Sequence, residues 1–513
     1  VKINKSIGFF IVLALVCTLA YSAPQGSPFH IIFKGLNTKA GPLSLDNGES
    51  PDCLNVVSDI FGTLLKRSGY TKLNSAHNHV STSPGKVNGL YDFAVDSSTR
   101  KFIGYFDSLL YKMDDLDGDF DPIQFATSMS NDIMEFENFD GVLVMTTWSR
   151  DTAQAWTGTG SVTSNVSNMP TGKFIIKAYN RLFVSDVTVS GTNYPLRFYF
   201  SNAGSYTVWS TSSDYETLDS SAGDRAMGWG LLKGRLFGFS KYSVNLISDV
   251  GGASPMEVSK RLDGTGCGAP RTIETVPTSI IGEAMIWLTP DKRLVMWNGS
   301  NMMDIGEKLS KSNNVCPFSL QSIDSSLLEY AHAQVDDVNG WYVIWIPIGT
   351  AVDYCVIYDY RANAFWPASN QNFHSSAKVE TTTGNFLYVG ETDGEVQRWN
   401  YGNTDDGEAI NSYWTSRKWD FGFAPYMKKM GEVQIVTRTI GNYEISYQYR
   451  FNWDTSWSTA EQLSMVTAGD WLLGDALPIT LGGHMAQVHR LSIPYAFNLF
   501  QIKLSVNASD PVW

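Results

Sequence analysis

A chain of 513 residues and 56.9 kDa can bury a large core without disulfide or metal staples. Its 13% aromatic content and 44 glycines exclude disorder for the bulk, and no heptad stretches suggest a coiled coil or helical bundle. Thirty-eight basic against 51 acidic residues leave a net charge of −13 and a pI near 5.0, so the overall basic footprint that tight nucleic-acid binding needs is missing. Solubility alone accounts for such a charge, although an acidic wall also lets DNA slide without sticking.

Residues 1–23 stand apart. Lys2 and Lys5 precede an apolar run from Ile7 to Leu19, and Ala20-Tyr21-Ser22-Ala23 follows with small residues suited to cleavage after Ser22. This is the layout of a secretory signal peptide. The run is short of the ~20 residues that cross a bilayer, and an uncleaved anchor or a buried N-terminal arm are the other readings. Residues 24–85 read as an extended lead-in. It contains His77 and His79, which offer two imidazoles but no nearby third ligand, so a polar loop is the expectation.

From 86 to 402 one pattern recurs: a strand-like run, a turn, and a second run rich in aromatic residues. Phe102–Phe106 is followed by Leu109–Tyr111, Gly141–Met145 by Ala155-Trp156, and Arg181–Val184 by Arg197–Phe200. Arg235–Phe239 precedes Val244–Ile247, Ala284–Leu288 precedes Leu294–Trp297, Trp341–Trp345 precedes Cys355–Tyr358, and Phe386–Val389 precedes Val396–Trp399. Successive units close about 40–60 residues apart, the period of a four-stranded propeller blade. A lone blade cannot shield both faces, so blades stack around an axis and their inner strands read as unbroken apolar runs. Asn298-Gly299, Asn339-Gly340 and Asp393-Gly394 supply hairpin turns. The expectation is an all-β protein with a β-propeller of six or seven blades.

A polar stretch from Gly402 to Gly407 marks the next boundary, and residues 403–513 are expected to form a C-terminal β-sandwich. There Ile445, Tyr447, Tyr449 and Phe451 alternate with Glu444, Ser446, Gln448 and Arg450, the pattern of a half-buried antiparallel strand. Glu432–Thr437, Val488–Ile493 and Leu499–Val506 read as its companions.

Candidate chemistry is sparse. The cluster Asp114, Asp115, Asp117, Asp119 and Asp121 around Gly118 lacks the order of an EF-hand and reads as a solvated turn. Gly264, Gly266 and Gly268 suit a tight turn better than a phosphate cradle. Ser201–Trp209 is similar to the Asp-box of sialidase propellers but has no Asp at the defining place. Asn165, Asn298 and Asn507 open Asn-x-Ser triplets that chance explains. Cys17, Cys53, Cys267, Cys316 and Cys355 form no C-x-x-C pair and read as buried thiols. Sixteen Trp and 24 Tyr could stack on sugars, but in a β protein they more often fill the core. No catalytic, cofactor-binding or metal-binding residue is assigned, and no enzyme activity is expected.

Several segments, in order, resemble the β-propeller tail hub or nozzle proteins of short-tailed bacteriophages, which follow the portal and adaptor rings. Gly35-Leu36-Asn37-Thr38, Pro42-Leu43, Asp52–Val56 and Gly62–Tyr70 look like that family's lead-in, in which a "KR-x-G-Y" stretch enters the first blade. Arg197–Ser201 with Val208-Trp209, Lys241–Val244, and Gly266–Thr272 leading to Ile286–Leu288 and Trp297–Gly299 are similar to its central blades. The apolar leader departs from the pattern. The resemblance implies a structural virion protein of the tail, a homo-oligomeric ring expected to be a hexamer. Its partners are then itself, the portal or adaptor and other tail proteins, with genomic DNA passing during ejection without tight binding. A membrane is a partner only if the leader is retained. The alternative is a secreted or periplasmic propeller enzyme or lectin acting on polysaccharide, and a third reading is an envelope-anchored adhesion module.

Overall fold

Each strand pair picked out by its apolar runs is the central hairpin of a four-stranded antiparallel sheet, and there are seven such sheets. The computed structural model describes residues 31–73, 85–116, 118–221, 223–252, 255–278, 282–313, 316, 318–422, 425–430, 432–438, 444–464, 486–493 and 495–508. The leader (1–23), His77, His79 and Asp117 lie outside the described residues. The chain divides into two compact units, Val1–Ile32 and Phe33–Trp513, and every described strand belongs to the second.

Six sheets are contiguous in sequence: blade 1 (87–123), blade 2 (134–165), blade 3 (171–217), blade 4 (226–263), blade 5 (274–304) and blade 6 (332–368). Blade 7 takes three strands from 373–399 and its fourth, Tyr70–Lys72, from the lead-in. The first strand of every blade packs on the first strand of the next, and Phe373–Thr381 of blade 7 returns to Val87–Ala94 of blade 1. The ring is therefore a closed seven-bladed propeller. The stretch from Tyr70 to Lys72 joins the last blade, whereas the family resemblance placed it at the entry to the first.

Hydrophobic clusters straddle the blade boundaries. One joins Phe93, Ile103 and Tyr105 of blade 1 to Met134, Met145 and Trp156 of blade 2. Another joins Val87, Leu90 and Phe102 to Ala377, Val379 and Tyr388, sealing blade 1 on blade 7. Trp341–Pro347 is buried along its whole length, because the second strand of a blade is covered on both faces. Each large side chain so buried contributes about 1.5–3 kcal/mol. Trp156, Trp287, Trp297, Trp345, Trp366 and Trp414 are among the fully buried side chains, which places much of the aromatic content in the core.

The lead-in wraps the outside of the last two blades. Gly35–Leu36 adds a parallel strand to the outer edge of blade 6, and Glu49–Ser50 pairs with it in turn. Blade 6 consequently has a fully buried fourth strand, Ala364–Ala368, while its counterpart in blade 5, Met302–Asp304, is exposed. Asp52–Leu54 pairs with Glu408–Thr415 beyond the propeller. The clamp is fastened by Arg67. Its Nη1 and Nη2 donate to the two carboxylate oxygens of Asp405 at 2.8 and 2.5 Å, and its Nε donates to Asn55 Oδ1 at 2.8 Å. The two remaining N–H groups donate to the carbonyls of Ser68 and Ser369, both at 3.0 Å. One buried guanidinium thus ties the lead-in, the blade 6–blade 7 loop and the C-terminal region together.

Past residue 403 the chain remains β. Glu408–Thr415, Phe500–Ala508, Glu444–Phe451 and Glu461–Ser464 form an antiparallel sheet in that order. Glu432–Arg438 with Ala486–Ser492, and Lys428-Lys429 with Ala496-Phe497, make two further two-stranded ladders. Strand Glu444–Phe451 has the bounds its alternation predicts. The described strands establish this sheet and ladders, not the two facing sheets of the expected sandwich. Among the described residues there is no α-helix, only short 3-10 turns, and none is long and apolar enough to cross a membrane.

Candidate functional site: a bore closed at one end

The seven first strands surround the propeller axis and run through it in the same sense, because each blade repeats the same up-and-down order. Their starting ends therefore gather at one face. Six acids (Asp92, Glu135, Glu137, Glu274, Asp336, Glu380) and three lysines (Lys173, Lys177, Lys378) lie on these strands. Acidic side chains therefore outnumber basic ones on the inner strands of the subunit.

Side chains from successive blades close the bore at that face. The Tyr330 ring, on the turn before blade 6, lies 6.0 Å from Trp148 of blade 2 and 6.2 Å from His374 of blade 7. Arg271, on the turn before blade 5, donates to the carbonyls of His374 at 2.9 Å and Tyr330 at 3.0 Å, with its guanidinium 5.8 Å from the Trp148 ring. Trp148 Nε1 donates to Glu135 at 2.9 Å. Beside Tyr330, Glu329 accepts from Arg225 of the blade 3–blade 4 loop at 2.6 Å and sits 3.9 Å from Lys173 of blade 3.

The Gly266–Thr272 segment aims Arg271 into this plug. A side chain at Gly266 would meet the Ser240 carbonyl at 2.2 Å, and one at Gly268 would meet the backbone of Thr289-Pro290 at 2.8 Å. Thr272 Oγ1 donates to the Ala269 carbonyl at 2.6 Å and accepts from Leu288 N–H at 3.0 Å. Tyr342 donates to the Thr272 carbonyl at 2.7 Å. The glycines serve backbone packing and the arginine is the product.

Burial governs the charges. It lowers Arg271 to about 10, with Glu135, Tyr330 and Asp132 resisting the shift. It also lowers His332 and His374 well below the usual imidazole range, and the Arg271 charge adds to the effect, so both rings are neutral near pH 7. His332 stacks on Trp345 at 5.1 Å, with no hydrogen-bond partner on either ring nitrogen. Glu137 and Glu274 are raised to about 7 by burial, partly offset by Lys177 and Lys378 respectively. Both keep some accessible surface while walled in by protein, as groups on a narrow wet bore would be.

This arrangement braces the propeller; the plug pairs its arginines and lysines with backbone carbonyls, rings and carboxylates and leaves no nucleophile beside a base. Nor does it pass a duplex, whose major groove alone is ~12 Å wide. The other candidates are dispersed. Asp114 pairs with Lys101 at 2.7 Å and Lys112 at 2.9 Å, and Lys112 also holds Asp121 at 2.9 Å, so lysines neutralise that turn. In Ser201–Trp209, Ser205 Oγ accepts from the N–H groups of Thr207 and Val208, and Trp209 is buried. Cys53, Cys267, Cys316 and Cys355 are free and buried. Among the described residues only Glu391, Asp393 and Glu395 bring three metal-competent ligand atoms together, within 4.8 Å of one another. Lys72 already neutralises that corner, 2.9 Å from Glu395 and 3.0 Å from Asp406. Burial and the neighbouring acids raise Glu391 to about 7. The plug and the Arg67 clamp escape sequence reasoning because their partners lie far apart in the chain; only Arg67 within Lys66-Arg67 and Arg271 within Ala269-Pro270-Arg271 were visible as motif members.

No family model and no curated protein matches the chain. Among solved structures it is similar to YCF48 bound to a D1 peptide, at 8% identity over 62% of this chain and 94% of that one, with a TM-score of 0.35. YCF48 from Cyanidioschyzon merolae shares 12% identity over 65% and 98%, with a TM-score of 0.39. U3-55K shares 11% over 63% and 97%, with a TM-score of 0.40. The propeller assignment rests on sheet order and ring closure.

Proposed function

We propose that the chain is a structural tail protein of a short-tailed phage, a hub or nozzle subunit that associates with identical copies into a ring below the portal and adaptor. DNA passes through the lumen between subunits and not through the plugged bore of any one of them. The observation that carries this reading is the clamp: a lead-in bearing the family-like segments is built into the edges of blades 6 and 7 and locked to the C-terminal region by Arg67. Such a body resists local unfolding, because the outer edges of its last two blades are paired and each blade is packed on both sides. The net charge of −13 supports passage of DNA without adhesion. Sedimentation of the purified protein tests the reading together with DNA binding. A closed multiple of the 56.9 kDa chain, with no sub-micromolar affinity for duplex DNA at about 150 mM salt, is expected. A stable monomer, or tight duplex binding, contradicts it.

One observation favours the polysaccharide reading: Tyr426, Trp453 and Tyr495 are exposed in the C-terminal region and offer faces for sugar stacking. Glycan turnover or retention by a monomer would select it.

A further inference from the structure

At the boundary of blades 4 and 5 the protein opens into a cavity of about 340 Å³. The size suits a small ligand. Its floor is apolar, with Leu232, Phe237 and Leu246 all buried, and its rim carries Lys233, Arg235 and Arg261. Lys233 Nζ donates to the Asn298 carbonyl of blade 5 at 2.9 Å. The side chains of Arg235 and Arg261 have no ion-pair or hydrogen-bond partner among the described residues, in a chain that carries thirteen more acids than bases.

Two local irregularities put these cations where they are. Arg261 is the extra residue of a β-bulge: Val244 faces Leu262 and Asn245 faces Lys260, leaving Arg261 opposite nothing. A bulge re-aims the side chain it carries. Lys233 stands in the left-handed region (φ 53°) in the two-residue turn Lys233-Gly234, where Asn or Gly is the easier choice. Glu283 accepts from the Lys233 backbone N–H at 3.1 Å and holds that turn without pairing with either guanidinium.

We propose that this cavity binds a small organic anion: a carboxylate or phosphate on a compact apolar body, the anion held by Arg235 and Arg261 and the body resting on Phe237 and Leu246. Guanidinium groups match both anions with paired N–H donors, and the apolar floor selects against bare ions. The site is independent of the tail reading, since it needs neither a ring nor DNA.

Calorimetric titration of the full chain with benzoate, phenyl phosphate, inorganic phosphate and benzyl alcohol tests it. Benzoate, phenyl phosphate or both are expected to bind at least about tenfold more tightly than inorganic phosphate and benzyl alcohol. The stronger of the two identifies the anion. Arg235→Gln and Arg261→Gln each weaken that binding about tenfold, the loss expected for one charge-assisted contact. Both side chains are exposed, so an unchanged melting temperature shows that the variants fold. Binding weakens as salt is raised. No saturable binding of either aromatic anion, equal binding of inorganic phosphate, or undiminished binding by the double variant overturns the proposal.

Discussion

Replacing Arg67 by Met tests the clamp most sharply. The side chains of Arg67 and Asp405 are 4% and 2% exposed, so their pairing takes place out of water. Removing the guanidinium strands the Asp405 carboxylate and takes the donor from the carbonyls of Ser68 and Ser369, while the Asn55 side-chain oxygen keeps only the Ser369 N–H at 3.0 Å. Breaking a buried ion pair from one side costs about 3–5 kcal/mol. Unfolding entropy of roughly 2.1 cal/mol/K per residue, over the roughly 430 described residues, makes 1 kcal/mol worth about 1 °C, so the melting temperature falls about 3–6 °C. The double variant Arg67→Met, Asp405→Leu recovers much of that loss, because no buried charge is left alone. Calorimetric melting of the four proteins provides the cycle. A drop below about 1 °C for Arg67→Met, or a double variant as weak as the single, refutes the assignment of Arg67 as the fastener.

Glu137 and Glu274 have folded-state values near 7, above the ordinary carboxylate range. The folded state therefore binds these protons more tightly, and the stability they contribute is present at low pH and lost as pH rises from about 4.5 through 7. Glu137→Gln with Glu274→Gln flattens the fall in melting temperature between pH 5 and 8; an unaltered slope contradicts the burial argument. Gly69→Ala places a methyl 1.8 Å from the Thr404 carbonyl and is expected to cost about 1–3 kcal/mol in urea unfolding. Arg271→Met leaves the His374 and Tyr330 carbonyls without their donor and lowers stability by about 1–3 kcal/mol. The same change made at exposed Arg235 is expected to stay within about 0.5 kcal/mol.

The blade hairpins were legible because their two strands are covered from both sides and carry unbroken apolar runs, as Ala284–Leu288 and Leu294–Trp297 do. The first strands carry mixed patterns, such as Met-Glu-Phe-Glu-Asn-Phe at 134–139, whose middle four residues are only half-buried where the strand lines the bore. The outer strands are short and partly exposed, as Tyr215–Thr217 is. Neither kind announces itself by periodicity. The blade number followed from the hairpins once the last sheet was seen to borrow Tyr70–Lys72, which pairs with Gln397–Trp399 more than three hundred residues away. No local preference of a three-residue strand encodes that partner. The Asn-Gly and Asp-Gly turns sit where the sequence places them, with Gly299, Gly340 and Gly394 all at positive φ. The plug was illegible for a related reason: Arg271, Tyr330, Trp148 and His374 converge only after the ring closes.

Electron microscopy of native particles containing this chain tests the central claim most directly. The account predicts a closed symmetric ring of identical propellers seated below the portal, with a lumen between subunits and a blocked bore within each. Propellers found singly, away from any capsid, would contradict it.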